Sequence, residues 1–544
     1  MEYIYTERAH LMCPNMYFGI IAIVNSEYNQ NRIKDVIEKA SAAHPFLRAR
    51  LGFEKDSNRY FYDVTDSSKV ELIFGHDQVT ALDSPKVKEE YEALLSRDWN
   101  LFEEGMLKVV AWKACKLDGT NKLAQANKTC FLFVFHHLLA DGRGAWGLAQ
   151  EIADSYAKGS SPIAAEEKLI SSRNDFPEKS GLSFISRYFV NKANREWGKE
   201  NHKPLTYSEY NAFANAFIKQ DRVNHSFEIL DEEKLSELVS DCKKQSVTVN
   251  DMLMARMFVE DQSEKIIIAR DLRETFSFYR PGALGNYSTA FSINLKKRNA
   301  DKNEVAKAVH KKVQTTLKNL KGQYLVLQCY ADLTPALLDA SFMAAQGKYD
   351  SKAAAFIGKT FFAYDKAKGY SITNLGKFSS DVIETACFIP PASPAIRKTW
   401  GVLTVNGRMV ICTSERKQKI HEMHLNPEPF ALIKNGSKKI ELRLYDEKRQ
   451  QIKIGDKIVF TNTESTSDNK KDGEAEKLEA TVTNLFVFDS FEKLYQELNL
   501  VDCGYTEENL ATASPEDMAQ YYPKELQQKY GVVGIQIELL KKES

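Results

Sequence analysis

An apolar run, Phe131-Leu-Phe-Val-Phe135, ends in two histidines, and an aspartate and a glycine follow at fixed offsets: His136-His137-Leu-Leu-Ala-Asp141-Gly142. A histidine near its ordinary pKa can take a proton from a hydroxyl or an amine as that group attacks a thioester. Such a base is worth about 10²–10⁴-fold in rate. Side chains alternate along a strand, so His136 and His137 point to opposite faces, one toward a cleft and one inward. Asp141 lies where the chain must turn, and Gly142 tolerates the turn. A helix is expected over Ala145 to Lys158, with its free N-terminal amides close to the same cleft.

The other histidines, His10, His44, His76, His202, His225, His310, His421 and His424, show no ligand spacing and read as structural or exposed. The eight cysteines are scattered without a CxxC pair, which fits reduced thiols in a cytosol better than disulfides or zinc. No metal site is expected. The sequence contains no P-loop, no GxGxxG after a strand and no HExxH, so the familiar nucleotide and metal chemistries have no support. The 544 residues carry a formal net charge of zero, which gives no global attraction to nucleic acid or anionic membrane. The apolar stretch Phe18 to Val24 is too short for a membrane span and lacks the basic flank of a leader. A cytoplasmic protein without a membrane span is expected.

Elements that would position these groups alternate along the chain. Strands are expected at Met16 to Val24, 60–63, 70–74, Leu107 to Cys115 and Thr129 to Phe135, and helices at Asn31 to His44 and Ser84 to Asp98. Between about 158 and 210 the pattern weakens and reads as a connecting segment. Further on, Asp231 can cap a helix through Lys244, and Thr248 opens another with Asp251 in capping-box position. Strands are expected again at Lys265 to Ala269, Ser288 to Leu295, Tyr370 to Asn374, Val402 to Val405 and Arg408 to Cys412. The division is then 1–170, 171–412, a linker at 413–420 and a last domain at 421–544. That domain carries about −7 and the first 420 residues about +7. Its polar stretch Thr461 to Lys477 reads as a long hairpin loop.

The histidine motif resembles the HHxxxDG signature of the chloramphenicol acetyltransferase-like superfamily, which includes condensation domains and alcohol acyltransferases. Other segments match in order: His44-Pro-Phe-Leu-Arg-Ala-Arg50, Asp98-Trp-Asn-Leu-Phe with Gly105 to Val109, and Val247 to Leu253. They continue with Asp271-Leu-Arg273, Leu284-Gly-Asn286 and Ser371-Ile-Thr-Asn-Leu-Gly376. The resemblance implies an α/β (α+β) fold of two CAT-like subdomains, a V-shaped pseudo-dimer with a central tunnel. It implies His137 as general base with His136 beside it and a structural Asp141 paired to Arg273. The Gly142 amide would lie near the developing oxyanion, and Asn286, Asn374 and Gly376 would face substrate. Acyl-CoA or acyl-phosphopantetheine would be the co-substrate, with no tightly bound cofactor. A small-molecule acceptor, and a carrier protein where the donor is carrier-bound, would be the partners. Thr373 stands where the family's last motif has serine.

Residues 421–544 resemble the ASCH domain of the PUA-like β-barrel superfamily, in Pro429-Phe430, Ile433 to Arg443, Gly455 to Phe460 and Tyr530 to Ile535. The resemblance implies a small β-barrel, with Lys438, Glu441 and Arg443 as a ligand pocket and RNA or a nucleotide as its partner. Glu441 stands where one hydrolase group of this family has threonine, which weighs against hydrolysis. Two readings stand open for the chain: an acyltransferase using His137, and a non-catalytic condensation-like domain whose ASCH module binds RNA or a nucleotide-like ligand.

Overall fold

The structure, a computed structural model, describes residues 2–540 except 57–58, 67–68, 98, 116–127, 163–166, 201–202, 222, 296–300, 366–368, 417–419, 455 and 464–475. Asp98, His202, Gly455 and most of the expected loop between Thr461 and Lys477 therefore lie outside the described residues. The fold is mixed α/β, in two units, Met1–Arg416 and Lys417–Ser544.

The aromatic run before the histidines becomes the middle of a sheet because nearly every side chain in it is buried, as a strand covered on both faces requires. In chain order the first unit's strands are β1 (Glu2–Tyr3), β2 (Tyr17–Val24), β3 (Ala49–Glu54), β4 (Arg59–Val64), β5 (Glu71–Val79), β6 (Leu107–Ala114) and β7 (Lys128–His136). There follow β8 (Val223–Leu230), β9 (Lys265–Asp271), β10 (Ser288–Asn294), β11 (Gly369–Phe378), β12 (Ile383–Ile389), β13 (Ile396–Val405) and β14 (Arg408–Arg416). One five-stranded sheet runs β12-β2-β7-β6-β5, antiparallel except for the β5–β6 pair. A six-stranded sheet runs β10-β9-β11-β13-β14-β8, and a small one β1-β4-β3.

Three differences from the sequence reading have local causes. First, β12 joins the sheet of β2 and β7, so chain from beyond residue 380 completes a layer built by the first 136 residues. Sequence patterning cannot assign a strand to one sheet or another. Second, the stretch between 158 and 210 is not merely connecting: it holds the helix Phe184–Lys199 and the start of the helix Tyr207–Gln220. The first of these leaves apolar residues outside as well as inside, which blurs the helical period. Third, Thr413–Arg416, assigned to a linker, continue β14 and pair with Val223–Ser226 of β8. Arg416 is buried there, its Nε bonded to both carboxylate oxygens of Asp221 at 2.9 Å.

The second unit is one sheet, β15 (Ile420–Leu425), β16 (Ile440–Leu444), β17 (Lys457–Asn462), β18 (Lys477–Phe488) and β19 (Val532–Leu539), in the order β15-β17-β18-β19-β16. Among the described residues its end strands, β15 and β16, are not paired by a ladder. Instead Arg443 of β16 reaches across, its Nη2 donating to the His424 carbonyl of β15 at 3.0 Å. The small barrel expected from sequence is thus a half-barrel whose end strands are bridged by the Arg443 guanidinium.

The helix that follows β7, Gly142–Lys158, buries Ala145, Trp146, Leu148, Ala149, Ile152 and Ala153, and packs on β2. A buried ion cluster ties it to the turn after the helix Gln30–Ala43. His44 is fully buried, with Nδ1 3.2 Å from Glu167 Oε1 and Nε2 2.9 Å from Glu151 Oε2. Carboxylates only accept here, so both ring nitrogens carry protons and the ring is an imidazolium. Burial alone would depress its pKa, but bonds to Glu151 and Glu167 outweigh it and raise the value to about 9.

A folded pKa above the unfolded one means that this contribution is complete below about pH 6.5 and lost as pH rises through about 9. A separation of that size corresponds to something on the order of 3 kcal/mol. In urea unfolding, the wild-type advantage over His44→Gln is expected to be largest at pH 6 and to shrink across pH 8 to 10. A difference that holds constant over that range would rule the charged clamp out.

Candidate functional site

Strand β7 delivers the two histidines to different surroundings. His136 ends the strand, buried, with Tyr17 edge-on at 5.0 Å. Its Nδ1 accepts from the Leu138 amide at 3.2 Å, which leaves the proton on Nε2. Burial, and then the neighbouring His137, push its pKa down to about 3. It is a neutral core histidine that shapes the turn.

His137 is half-buried and held on the other side. Its Nδ1 is 2.9 Å from Asn286 Oδ1. The Asn286 Nδ2 donates to two backbone carbonyls, His137 O at 2.8 Å and Leu138 O at 3.3 Å. Carbonyls cannot donate, so the amide is oriented with its oxygen toward the ring, and His137 must carry its proton on Nδ1. The lone pair is therefore on Nε2, for which no hydrogen-bond partner occurs among the described residues. Burial lowers the His137 pKa, and the bond to Asn286 and the charge of Asp141 restore part of it.

Asn286, expected to face substrate, instead spends its amide on fixing this tautomer and is itself buried. The sequence held the residue but not its direction, since the side chain's orientation depends on a loop more than a hundred residues away.

Asp141 caps the helix Gly142–Lys158. Its Oδ1 accepts from the amides of Arg143 at 3.1 Å and Gly144 at 3.0 Å and from Arg273 Nη2 at 2.6 Å, while Oδ2 accepts from the Tyr287 amide at 2.9 Å. Burial would raise its pKa, but Arg273 and these amides hold it below the ordinary carboxylate range. The pairing expected with Arg273 is present and buried. Asp271 takes a second edge of the guanidinium at 3.0 Å, and the Tyr279 and Tyr287 rings lie against it at 5.6 and 5.3 Å. Of the helix's first amides, Arg143 and Gly144 bond the Asp141 side chain and Ala145 its carbonyl. The Gly142 amide has no partner among the described residues, and it points out of the helix end where a partial positive charge collects.

Gly142 has no room for a side chain: a Cβ there would lie 2.8 Å from Leu375 and 3.3 Å from the Phe388 ring. Leu375 belongs to a bulge in β11, where pairing with β13 slips between Asn374 and Lys377. Arg143 clamps the bulge from the motif helix, donating from Nη1 to Leu375 O at 2.5 Å. Gly376 takes φ +108° there, a conformation that favours glycine. Asn374 is exposed and its Oδ1 accepts from the Gly376 amide at 2.9 Å. These two residues thus stand at the start of the motif helix, and neither bonds His137.

His10 was missed. It stacks on His137 with ring centroids 4.2 Å apart and 23° between planes, while Phe18 meets the same ring edge-on at 5.3 Å. Its own pKa is pushed well down by burial and then by His137 and His136, so two neutral imidazoles face each other. The short helix that carries it, Arg8–Leu11, is anchored by a buried two-pronged pair, Arg8 to Asp339, at 2.9 and 2.5 Å. Nothing in the spacing of Glu7-Arg8-Ala9-His10 relates it to residue 137.

The remaining histidines serve structure where partners are seen: His225 bonds Ser414, His310 bonds Asp251, and His421 bonds Asp456. All eight cysteines are buried and unpaired. No group of ligating side chains that could hold a metal occurs among the described residues, and none of their helices is long and apolar enough to cross a membrane.

In the second unit the structure brings Lys438, Glu441 and Arg443 together. Lys438 Nζ lies 2.9 Å from Glu441 Oε2, and Arg443 Nε 2.9 Å from Glu441 Oε1. These are ion pairs by distance, although their angles fall short of hydrogen bonds. Arg443 also donates to Tyr522 at 3.2 Å.

No curated protein sequence matches the chain. Among solved structures, polyketide synthase associated protein 5 from Mycobacterium tuberculosis is similar, at 13% identity over 77% of this chain and 92% of that one, with a TM-score of 0.45. The condensation domain of the Monacolin K polyketide synthase is similar at 11% identity, over 76% and 91%, with a TM-score of 0.46. A variant of the starter condensation domain of rhizomide synthetase, in complex with C8-CoA and Leu-SNAC, is similar at 10%, over 76% and 88%, at 0.47. Residues 423–541 match the ASCH domain family, and the second unit is an ASCH domain.

Proposed function

We propose that the first unit is an acyltransferase in which His137 is the general base. The observation that carries this reading is the fixed tautomer: Asn286 occupies Nδ1 and leaves Nε2 unpaired at the half-buried face of the ring. The acceptor's hydroxyl or amine gives its proton to Nε2 as its oxygen or nitrogen attacks the thioester carbonyl carbon. The carbonyl becomes an oxyanion, for which the free Gly142 amide at the helix end is the candidate donor. Collapse of that intermediate expels the thiolate, and the proton on Nε2 returns to it. Acyl-CoA or an acyl-phosphopantetheine carrier supplies the thioester, reached along a tunnel between two CAT-like halves. Asp141 and Arg273 take no part in proton transfer and serve to position the loop.

Free-thiol release from a panel of acyl-CoAs with mixed alcohol and amine acceptors tests the reading. Acceptor-dependent release by the wild type, reduced about 10²–10⁴-fold in a folded His137→Ala, is the expected result. An active, folded His137→Ala would sink it. The pH profile carries a second check. A base works deprotonated, and the lowered His137 pKa puts the acid limb of kcat/KM below the ordinary histidine value of about 6.5. In Asn286→Asp a carboxylate on Nδ1 stabilises the imidazolium, so that limb is expected to move to higher pH; an unmoved limb would remove Asn286 from the mechanism.

For the second unit, an anionic, nucleotide-like ligand is the reading supported by charge: two cations, Lys438 and Arg443, converge on the single buried carboxylate of Glu441. Calorimetric titration of mononucleotides and short RNA into the whole chain is expected to give binding that Lys438→Ala loses. Equal heats from both proteins would discard this site.

A further inference from the structure

The helix Phe184–Lys199 turns Val190 and Ala193 into the protein, where they join a cluster that includes Leu182, Leu333 and Leu337. Its first two turns do the opposite. Phe184 is 87% exposed, Ile185 67% and Tyr188 55%, the first two being the largest exposures among the bulky apolar side chains described. Three such residues within five positions form a contiguous apolar knob, and a contiguous patch needs a reason where a scattered residue does not.

The charge beside the knob is of one sign. Arg187, Lys192 and Arg195 line, with Phe184, Tyr188 and Asn191, a shallow cleft of about 200 Å³. No acidic side chain lines it. Arg187 and Lys192 have no ion-pair partner among the described residues, and Arg195 has only a 3.7 Å contact with Glu196, which Lys199 also engages at 3.0 Å. Bulky apolar and aromatic side chains at the front, with Arg187 among them and Lys192 and Arg195 one and two turns behind, match the two layers of a bilayer surface. The apolar groups enter the boundary of the acyl chains while the cations meet headgroup phosphates.

We propose that this helix docks the protein on an anionic bilayer, with Phe184, Ile185 and Tyr188 inserted and a lipid phosphate in the cleft of Arg187, Lys192 and Arg195. The zero net charge of the chain does not oppose this, because surface attraction is felt over about a Debye length, near 8 Å at physiological salt, and is set by the local patch. The docking makes no use of the acyltransferase reading and stands or falls separately from it.

The test is co-sedimentation of the whole chain with vesicles of phosphatidylcholine alone and of phosphatidylcholine mixed with phosphatidylglycerol. Two variants accompany it: Phe184→Ser with Ile185→Ser and Tyr188→Ser, and Arg187→Gln with Lys192→Gln and Arg195→Gln. All six positions lie on the outer face, and circular dichroism and thermal melting check that the fold is kept. The expected result is partition of the wild type onto the anionic vesicles, weakened at least about tenfold by either variant and by high salt. Three results overturn the proposal: no partition onto anionic vesicles, equal partition onto neutral ones, or partition that neither variant alters. A concentration-dependent dimer of the wild type that the serine variant abolishes would also overturn it, by assigning the knob to a second copy of the chain.

Discussion

The buried pair of Asp141 and Arg273 is the constraint on which the candidate site rests. Two charges in a protein interior cost more in desolvation than their attraction returns unless every remaining lone pair and proton is met. Here that condition holds on the anionic side, where Asp141 accepts four hydrogen bonds. Removing Arg273 would leave the Asp141 carboxylate buried without a counter-charge, a loss of about 3–5 kcal/mol, whereas Arg273 without Asp141 keeps Asp271. The pair is better read as geometry than as stability. It ties the end of β7 and the start of the motif helix to the 271–287 segment, so the loop bearing His137 has one conformation.

Four residues of that segment bond the loop. Arg273 takes the Asp141 carboxylate, the Tyr287 amide takes its other oxygen, Gly285 O receives the Asp141 amide and Asn286 binds both ends of His137. The sequence displayed Arg273, Gly285 and Asn286, in Asp271-Leu-Arg273 and Leu284-Gly-Asn286, and the Arg273 pairing was legible, whereas Tyr287 stood outside both motifs. The Asn286 role was not, because a residue type and a spacing do not say which way an amide points. His10 was illegible for a different reason: its ring reaches His137 only because Arg8 is fixed to Asp339, a contact across 331 residues of chain.

The fold shows the same division between local and distant information. Strands rich in apolar residues, such as β2, β7 and β9, lie within a residue or two of where patterning puts them. The joining of β12 to β2 rests on tertiary packing that no window of sequence contains. The helix Phe184–Lys199 escaped because its apolar residues do not keep to one face. A helix with a second apolar surface loses the amphipathic signal by which helices are found. The feature that hid it is the one that gives it a surface to offer.

Adjacent histidines with opposite fates show that what surrounds a buried ring matters as much as its burial. His136 and His137 share a strand end, yet one loses nearly all basicity and the other keeps part of it. Both are desolvated, so desolvation does not separate them. What separates them is that backbone hydrogen bonding, the Asp141 charge and Asn286 all raise the His137 pKa, while nothing comparable acts on His136. The partners on Nδ1 then set the two tautomers. An amide N–H pointing at His136 Nδ1 consumes that lone pair, whereas an amide oxygen pointing at His137 Nδ1 fixes the proton there. The second arrangement leaves Nε2 with the lone pair and strengthens it as the ring gains charge, since Asn286 Oδ1 and Asp141 both favour the protonated state. At ordinary pH the His137 ring is therefore neutral, with its lone pair on Nε2.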